Sequence, residues 1–293
     1  MVLLATEGFL LLSERFRWFP LNEHKGWTVL IALASVGVFL LLMLLWFAVA
    51  LLFRWRFQFS IRALMMLVLA VAIPCSWLAT EIERAKKQRK AVEAIEAAEG
   101  WAEYDDGFDA FENASAGPDT PEPAWLRGFP AKDFLANVVA AYLSSCKVTD
   151  AGLDRLTDLS RLQELHLGDT QVSDVGLQHL KGLSQLGRLD LNGTQVTDAG
   201  LQQLKGLGQL WCLELNGTQV TDAGLENLKG LRELWWLDLA GTQVTDAGLR
   251  HLKGLGKLRW LDLGATKVSD AGVKKLQQAL PNCGIRWSRR TER

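Results

Sequence analysis

The chain has 293 residues, and its 32 Lys and Arg nearly balance 33 Asp and Glu, which leaves a formal net charge of −1 at pH 7. This balance, with no basic stripe across the predicted strands, excludes nucleic acid as the expected partner. The cysteines outside the hydrophobic N-terminal half are odd in number and stand at unrelated positions, which excludes a disulfide framework: Cys146, Cys212 and Cys283.

Two hydrophobic runs follow the N-terminal segment 1–26 and predict a transmembrane helical hairpin within residues 27–80. The first run, 27–53, has no charged residue and is longer than the roughly 20 residues that cross a bilayer. The second, 62–79, contains Pro74 and lies near the lower limit of about 17 residues, so an interfacial or re-entrant helix is its alternative. The segment RWRFQFSIR between them is rich in Arg and aromatic residues, as at a membrane interface.

Two spans place both termini on one side of the bilayer. Basic residues flanking the spans outnumber those of the connecting loop, although near the first helix alone the two sides are equal. The flanks carry Arg15, Arg17, Lys25, Arg84, Lys86, Lys87, Arg89 and Lys90, against Arg54, Arg56 and Arg62 in the loop. The excess of basic residues in the flanks, together with the missing disulfide framework, predicts that the repeats described below are cytoplasmic.

A charged, Ala-rich segment at 81–100 predicts a juxtamembrane helix that prolongs the second span and ends at Gly100. Its basic stretch at 84–90 suits anionic lipid headgroups. A thin apolar stripe on this helix predicts a side resting on other residues, with dimerisation as the alternative: Ile82, Ala85, Val92 and Ile95.

An acidic segment at 101–123, which includes SAGPDTPEP, predicts an extended or disordered linker. Residues 124–137 then predict a cap for the first repeat, because the exposed end of a stacked array must be covered.

From residue 138 to residue 281 the sequence repeats every 24 residues. The copies follow L-x-x-L-x-L-x-x-T-x-V-[ST]-D-x-G-L-x-x-L-x-x-L and open at Leu162, Leu186, Leu210, Leu234 and Leu258, after a weaker copy at Val138. A unit this short cannot bury its apolar face alone, so six tandem copies predict a solenoid. In the first part of each unit, buried positions alternate with exposed ones, which predicts a short strand. In the second part, the leucines recur every three or four residues, which predicts a helical turn.

The L-x-x-L-x-L-x-x opening is the signature of leucine-rich repeats. The T-D-A-G-L turn resembles that of F-box leucine-rich repeat proteins and of bacterial membrane-anchored proteins of the planctomycete kind. The first resemblance is limited to the repeats, whereas the second also covers the hydrophobic N-terminal half. It implies an α/β solenoid, a right-handed leucine-rich repeat superhelix of about six 24-residue repeats after a transmembrane hairpin. Its strands line the concave side, and it implies a non-catalytic binding scaffold.

Two polar columns recur in the repeats. Thr197 is predicted to cap a helix N-terminus and Asp198 to favour the helix dipole, and the same Thr/Ser-Asp pair recurs in every unit. The ninth position is predicted to form a structural ladder in which hydroxyls donate to carbonyls of the adjacent coil: Thr170, Thr194, Thr218, Thr242 and Thr266. After the last repeat, residues 282–293 predict a C-terminal cap and a basic tail.

The chain contains no C-x-x-C pair, P-loop, dinucleotide fingerprint or nucleophile elbow. His179 and His251 occupy the same helix position three units apart, too distant to share a metal ion. We therefore expect no catalytic residues, no metal site and no cofactor.

The third and fifth positions of each unit are predicted to face outward from the strands, on the concave side. Four carboxylates would stand in a row at about 4.8 Å spacing, where neighbours repel by roughly 1 kcal/mol even in water. With exposed tryptophans beside them, they suit a basic protein or peptide partner; a solvated, merely copied column is the alternative. The candidate partner-binding residues are His166, Arg188, Asp190, Glu214, Trp236, Asp238, Trp260 and Asp262.

Two functions remain open at this point. The first is a membrane-anchored scaffold that captures a protein or peptide on the concave face. The second is a membrane signalling component that transmits occupancy of the repeats through the helical hairpin.

Overall fold

The structure is a computed structural model that describes residues 61–105 and 136–288. Its chain divides into two units: Met1–Lys86 with Asp105–Ala136, and Lys87–Tyr104 with Asn137–Arg293. The predicted first membrane span, 27–53, lies outside the described residues.

Helix α1 spans Ile61–Ala97 and joins the predicted second span and the predicted juxtamembrane helix into one continuous element. In the first unit, Trp77, Leu78 and Ile82 pack around the buried Ala85. Among the described residues, no helix combines the length and the apolar character that crossing a membrane requires. The predicted transmembrane hairpin therefore has no support from the described part of the chain.

The second unit begins with the last turns of α1, whose Ala91 and Ile95 are buried in the same core as the repeats. The backbone then turns into strand β1, Trp101–Tyr104, which pairs antiparallel with β2, Val138–Tyr142. Gly100 allows this close approach, because a Cβ there would lie 2.6 Å from the carbonyl oxygen of Tyr142.

This arrangement differs from the predicted linker at 101–123 and the predicted cap at 124–137. Residues 101–104 form a strand that pairs with β2, and the Trp101 ring stacks on the Tyr142 ring, with centroids 3.9 Å apart. The described cover of the first coil is thus the end of α1 with β1, and residues 124–135 lie outside the described residues.

The strands of the described residues form one eight-stranded sheet whose order follows the chain, and β2 to β8 are all parallel. After β2 come β3 Glu164–His166, β4 Arg188–Asp190, β5 Cys212–Glu214, β6 Trp236–Asp238, β7 Trp260–Asp262 and β8 Gly284–Arg286. The predicted strand of every repeat is confirmed, with each central residue aligned on the equivalent residue of its neighbours.

Short helical segments return the chain from each strand to the next. The α-helical ones are α2 Asp198–Leu201, α3 Asp222–Leu225 and α4 Asp270–Ala279. The 3₁₀ segments are Asp150–Asp158, Gly176–Gly182, Gln202–Gly206, Glu226–Gly230 and Gly248–His251. The repeated leucines of strands and helical segments are fully buried in one continuous core, as the α/β solenoid prediction requires.

A hydrogen-bonded joint connects each coil to the next on the helical side. The aspartate of one coil accepts the backbone N–H (2.7–2.8 Å) and the hydroxyl (2.5–2.6 Å) of the Thr or Ser one coil later. The pairs are Asp150–Ser173, Asp174–Thr197, Asp198–Thr221, Asp222–Thr245 and Asp246–Ser269. The predicted cap at Thr197 is confirmed, since its hydroxyl accepts the N–H of Ala199. The aspartates, predicted only to favour a helix dipole, also connect neighbouring coils.

The glycine of the T-D-x-G turn makes room for this joint. A Cβ built on Gly224 would overlap Oδ1 of Asp198, and the equivalent glycines meet the equivalent carboxylates in the same way. The repeat therefore pairs an aspartate in one coil with a glycine in the next because only a glycine fits beneath the carboxylate.

The ninth-position threonines are buried, but their hydroxyls bond within their own coil. Each donates to the carbonyl three residues earlier, as Thr218 does to Leu215 at 2.7 Å. The predicted ladder to the adjacent coil is therefore wrong. The residue before the ninth position has a positive φ angle in every coil: Ser145, Asp169, Gly193, Gly217, Gly241 and Ala265.

The C-terminal end of the described solenoid is formed by α4 and β8. Strand β8 adds to the sheet beside β7, and the indole N–H of Trp287 donates to the carbonyl of Val268 at 3.1 Å. Gln277 donates to the carbonyls of Leu280 and Cys283 and so fixes the turn between α4 and β8.

Candidate partner-binding face

The outward-facing residues of β2 to β7 form two straight columns, which we call the strand face. The third-position column runs through Ala140, Glu164, Arg188, Cys212, Trp236 and Trp260, and the fifth-position column through Tyr142, His166, Asp190, Glu214, Asp238 and Asp262. Residues of β8 extend the columns with Gly284 and Arg286. All eight predicted partner-binding residues lie on this one surface.

The strand face is less exposed than the alternation of the sequence predicts. Of the eight predicted site residues, Asp262 is buried and the other seven are half-buried; Cys212, in the same column as Arg188, is also buried. Trp236 and Trp260, predicted to be bare, lose much of their exposure because they stack on each other, with centroids 5.2 Å apart and planes 17° apart. The more exposed indoles are Trp211, at 39%, and Trp235, at 47%.

The carboxylates of the fifth-position column are not a row of free charges. Asp190, Asp238 and Asp262 each accept the backbone N–H two residues later, at 2.8–2.9 Å. This local bond holds each carboxylate against its own turn. These bonds stabilise each carboxylate within its own coil, while neighbouring carboxylates still raise the pKa of Asp190 and of Asp238.

Arginine side chains lie beside two carboxylates of the column, Glu214 and Asp262. Arg188 Nη2 lies 2.9 Å from Oε1 of Glu214, whose Oε2 accepts from the side-chain amide of Asn192 at 3.1 Å. Arg286 Nη1 lies 3.3 Å from Asp262 Oδ2. Both oxygens of Glu214 and both oxygens of Asp262 therefore have partners.

Asp238 differs from its neighbours. Its Oδ1 accepts from Ala240, and within the described residues its Oδ2 has no hydrogen-bond donor. Burial raises the pKa of the Asp238 carboxyl, against the opposing effect of the Ala240 N–H, and the neighbouring Asp262 and Glu214 raise it further. Burial also raises the pKa of Asp190. Asp238 is thus a half-buried anion with one open acceptor.

An aromatic patch lies beside Asp238 in the C-terminal half of the strand face. We define it as Trp211, Trp235, Trp236 and Trp260. Trp235 stacks on Trp236 with centroids 6.2 Å apart, and the Trp211 ring lies over the backbone of Gly187, where a Cβ would be 2.6 Å from its Nε1. The patch therefore begins where the third-position column becomes aromatic, next to Asp238, whose Oδ2 has neither a hydrogen-bond donor nor a basic side chain within 4.0 Å among the described residues.

A second aromatic stack occupies the N-terminal end of the strand face. The Trp101 ring stacks on Tyr142, and Tyr142 stacks on His166 at 4.6 Å with planes 10° apart. His166 also lies 3.4 Å from Glu164 and 4.0 Å from Asp190. The participation of Trp101 was not foreseen, because this residue lies outside the repeated pattern that aligns the other columns.

Within the described residues, no group of three or more His, Cys, Asp or Glu is placed to hold a metal ion. Burial, reinforced by Glu214, raises the pKa of Cys212 to about 12, so this thiol is not a nucleophile at neutral pH.

Residues 160–181 match the protein family described as Leucine Rich repeat. The match covers one coil of the solenoid described above, and the other coils share its 24-residue sequence pattern. No curated protein sequence matches the chain.

Solved structures similar to the chain include two internalins of Listeria monocytogenes. Internalin inlF has 24% identity and a TM-score of 0.43, over 52% of this chain and 41% of that one. Internalin C2 has 26% identity and a TM-score of 0.41, over 54% of this chain and 75% of that one. A TDR receptor has 15% identity and a TM-score of 0.35, over 46% of this chain and 23% of that one. The similarity thus spans less than half the length of inlF and of the TDR receptor.

Proposed function

We propose that this protein is a membrane-anchored leucine-rich repeat scaffold, without catalytic activity, that binds a protein or peptide partner on its strand face. The partner segment carries a basic side chain next to an apolar one. The observation that carries the proposal is the open oxygen of Asp238 beside the aromatic patch.

A basic side chain can satisfy both features at once. A guanidinium or ammonium group over Trp236 or Trp260 gains a cation–π interaction, and the same group can donate to Asp238 Oδ2. The apolar neighbour in the partner can cover Trp235 or Trp211, whose exposed indole surface gains from burial. Aromatic anchors of this kind commonly carry most of the binding energy of an interface.

The N-terminal half of the strand face is a less favourable place for a basic side chain, because its charged groups already have partners. Arg188 already neutralises Glu214, and His166 is stacked on Tyr142 and lies near Glu164. These groups form a polar rim. The strongest attraction for a cation is therefore expected at Asp238. His166, Arg188, Asp190 and Glu214 are thus proposed as rim residues, and Trp236, Asp238, Trp260 and Asp262 as the centre.

The membrane anchor in this proposal rests on the sequence. The uncharged run 27–53 is long enough to span a bilayer, and the basic flanks favour a cytoplasmic location of the repeats. The alternative function, signalling through the hairpin, requires a change in self-association when the strand face is occupied.

Binding of the full chain in detergent micelles to an immobilised peptide library tests the site. We expect enrichment of peptides with Arg or Lys next to an apolar residue, and weaker binding as salt rises. Asp238→Asn should weaken the best peptides by about tenfold, the scale of one charge-assisted hydrogen bond. Trp235→Ala should also weaken them.

The matched controls are Asp154→Asn and Val175→Ala, exposed residues of the helical side. Unchanged binding in these controls, with loss in the two strand-face variants, supports the proposed site. Equal affinity in all four variants would remove the strand face as the binding surface.

A further inference from the structure

A column of lysines lies across the leucine core from the strand face. Lys181, Lys205, Lys229 and Lys253 occupy the same position in four consecutive coils, and all four are exposed. Lys181, Lys205 and Lys229 lie in the last turn of their 3₁₀ segments, and Lys253 follows the segment Gly248–His251. We call this surface the helical side.

The lysine column is mostly uncompensated by protein groups. Within the described residues, Lys229 pairs with Glu226 at 3.1 Å, whereas Lys181, Lys205 and Lys253 form no ion pair. Other exposed basic residues occur in the C-terminal coils, and one of them, Lys257, pairs with Glu233 at 2.5 Å: Arg232, Arg250, Lys257, Lys274 and Lys275. The pKa of His251 is lowered by burial first and then by Lys229 and Arg250, as expected in a basic environment.

The aspartates that the repeat places on the helical side form no ion pairs with these lysines within the described residues. Their carboxylates are occupied by the Thr and Ser of the next coil, as in Asp198–Thr221 and Asp222–Thr245. The aspartate of each repeat is thus held in the joint between coils, whereas the lysine extends from the surface. The result is a column of exposed ammonium groups along one side of the solenoid.

The composition of the helical side favours a broad anionic surface over a nucleic acid. Its described helical segments carry no Trp, Tyr or Phe on which bases could stack. Their charges are mainly single lysines, one for each coil, which act as point charges. A lipid bilayer presents anionic headgroups in a plane and requires no specific geometry from each lysine.

We propose that the helical side binds the anionic headgroups of a lipid bilayer, with Lys181, Lys205, Lys229 and Lys253 as the contact column. The inference extends the membrane attachment of the proposed function. It also gives the scaffold an orientation, because a bilayer on the helical side leaves the strand face open to its partner.

The full chain can be tested in lipid nanodiscs of phosphatidylcholine alone or with about one third phosphatidylserine. A photo-crosslinking amino acid, p-benzoylphenylalanine, replaces Gln202 on the helical side or Asn216 at the edge of the strand face. We expect lipid adducts at position 202 in anionic discs, several-fold fewer in neutral discs, and none above background at position 216.

Lys205→Gln with Lys253→Gln should lower the adduct yield at position 202. Two lysines correspond to a loss of up to about 25-fold in surface affinity. The matched control, Lys147→Gln with Lys267→Gln, removes the same charge from exposed positions outside the column and should leave the yield unchanged. Equal yields in both double variants, or in both disc types, overturn the inference.

The outcomes also separate this inference from the proposed function. A chain that enters the discs and binds peptides, but gives no adduct at position 202, overturns the lipid contact alone. A chain that stays outside the discs but floats with anionic liposomes through Lys205 and Lys253 supports the lipid contact and removes the anchor. If those lysines bind an RNA hairpin and no liposome, the lipid assignment is wrong.

Discussion

The carboxylate of Asp198 accepts both the backbone N–H of Thr221, at 2.8 Å, and its hydroxyl, at 2.6 Å. The Thr221 oxygen in turn accepts the N–H of Ala223 and so starts α3. One side chain therefore joins two coils and caps a helix through its neighbour. The same joint recurs through the described repeats and explains why the Thr/Ser-Asp pair is present in every unit.

Replacing Asp198 by Ala should lower the free energy of unfolding by about 3 kcal/mol, because the hydrogen bonds to a charged acceptor are lost and the N–H of Thr221 is left without its partner. Urea unfolding followed by circular dichroism measures the change. Asp154→Ala, at an exposed residue of the helical side, should change it by less than about 0.5 kcal/mol. A similar small value for Asp198→Ala would show that the joint adds no stability.

Gly224→Ala should destabilise the protein by about 1–3 kcal/mol, the usual cost of overpacking, because its Cβ would overlap Oδ1 of Asp198. Gly206→Ala is the matched control in the preceding coil, where a Cβ meets no atom within 4 Å. That change should raise stability by roughly 0.4–1 kcal/mol, since it restricts the unfolded chain. Opposite signs in thermal unfolding support the packing argument, and equal effects contradict it.

Asp238→Asn should stabilise the free protein at neutral pH. Burial raises the folded-state pKa of this carboxyl above the ordinary value of 3.8, so its contribution favours folding below pH 3.8 and is lost as the pH rises through the folded pKa. Asparagine avoids burying the charge and keeps an oxygen for the N–H of Ala240. Unfolding curves from pH 7 to pH 3 should show the advantage of the variant shrinking on acidification; an advantage that is constant with pH would contradict the burial of the charge.

Glu214→Gln should have the opposite effect, although Glu214 belongs to the same column. Arg188 and Asn192 both bond to this carboxylate, and removing its charge weakens a partly exposed ion pair. We expect a loss of up to about 1 kcal/mol at neutral pH, the scale of such pairs. Urea unfolding at low and high salt measures it, and a stabilising effect would mean that repulsion along the column dominates.

Cys146 provides a test of membrane orientation. It is half-buried, whereas Cys283 is buried and cannot report, so labelling must be read at Cys146 or at an introduced surface cysteine such as Ser144→Cys. If the repeats are cytoplasmic, an impermeant maleimide should label this region only after cells are permeabilised. Rapid labelling of intact cells would reverse the proposed orientation.

The sequence predicts those parts of the fold that depend on spacing alone. Leu189 and Leu213 stand one repeat apart, so their strands and the columns beside them align without further information. The joint between Asp198 and Thr221 was not predicted, because it depends on the stacking geometry of two coils. The pairing of Trp101 with Tyr142 was missed because β1 follows no repeat period.

The candidate site was predicted in position but not in electrostatics. Alternation places Asp262 on the outer face, yet Asp262 is only 7% exposed, since β8 lies beside it and Arg286 approaches its carboxylate. The hydrogen bonds of Asp190 and Asp238 to the backbone of their own turns also cannot be predicted from the repeat period. The alternation of side chains along a strand therefore predicts which residues share a face. The turn that follows the strand determines how exposed each carboxylate is and which groups it binds.

The joint between coils has a further consequence for how such a chain changes over generations. Each coil offers an aspartate to its successor and a hydroxyl to its predecessor, and the segment NGTQVTDAGL is identical in the copies that open at Leu186 and Leu210. Unequal recombination between such copies in the gene removes or adds 24 residues at once and leaves each aspartate that precedes another coil with a hydroxyl partner. The number of coils, and with it the length of the surface offered to a partner, is free to vary by inheritance while the interior stays the same.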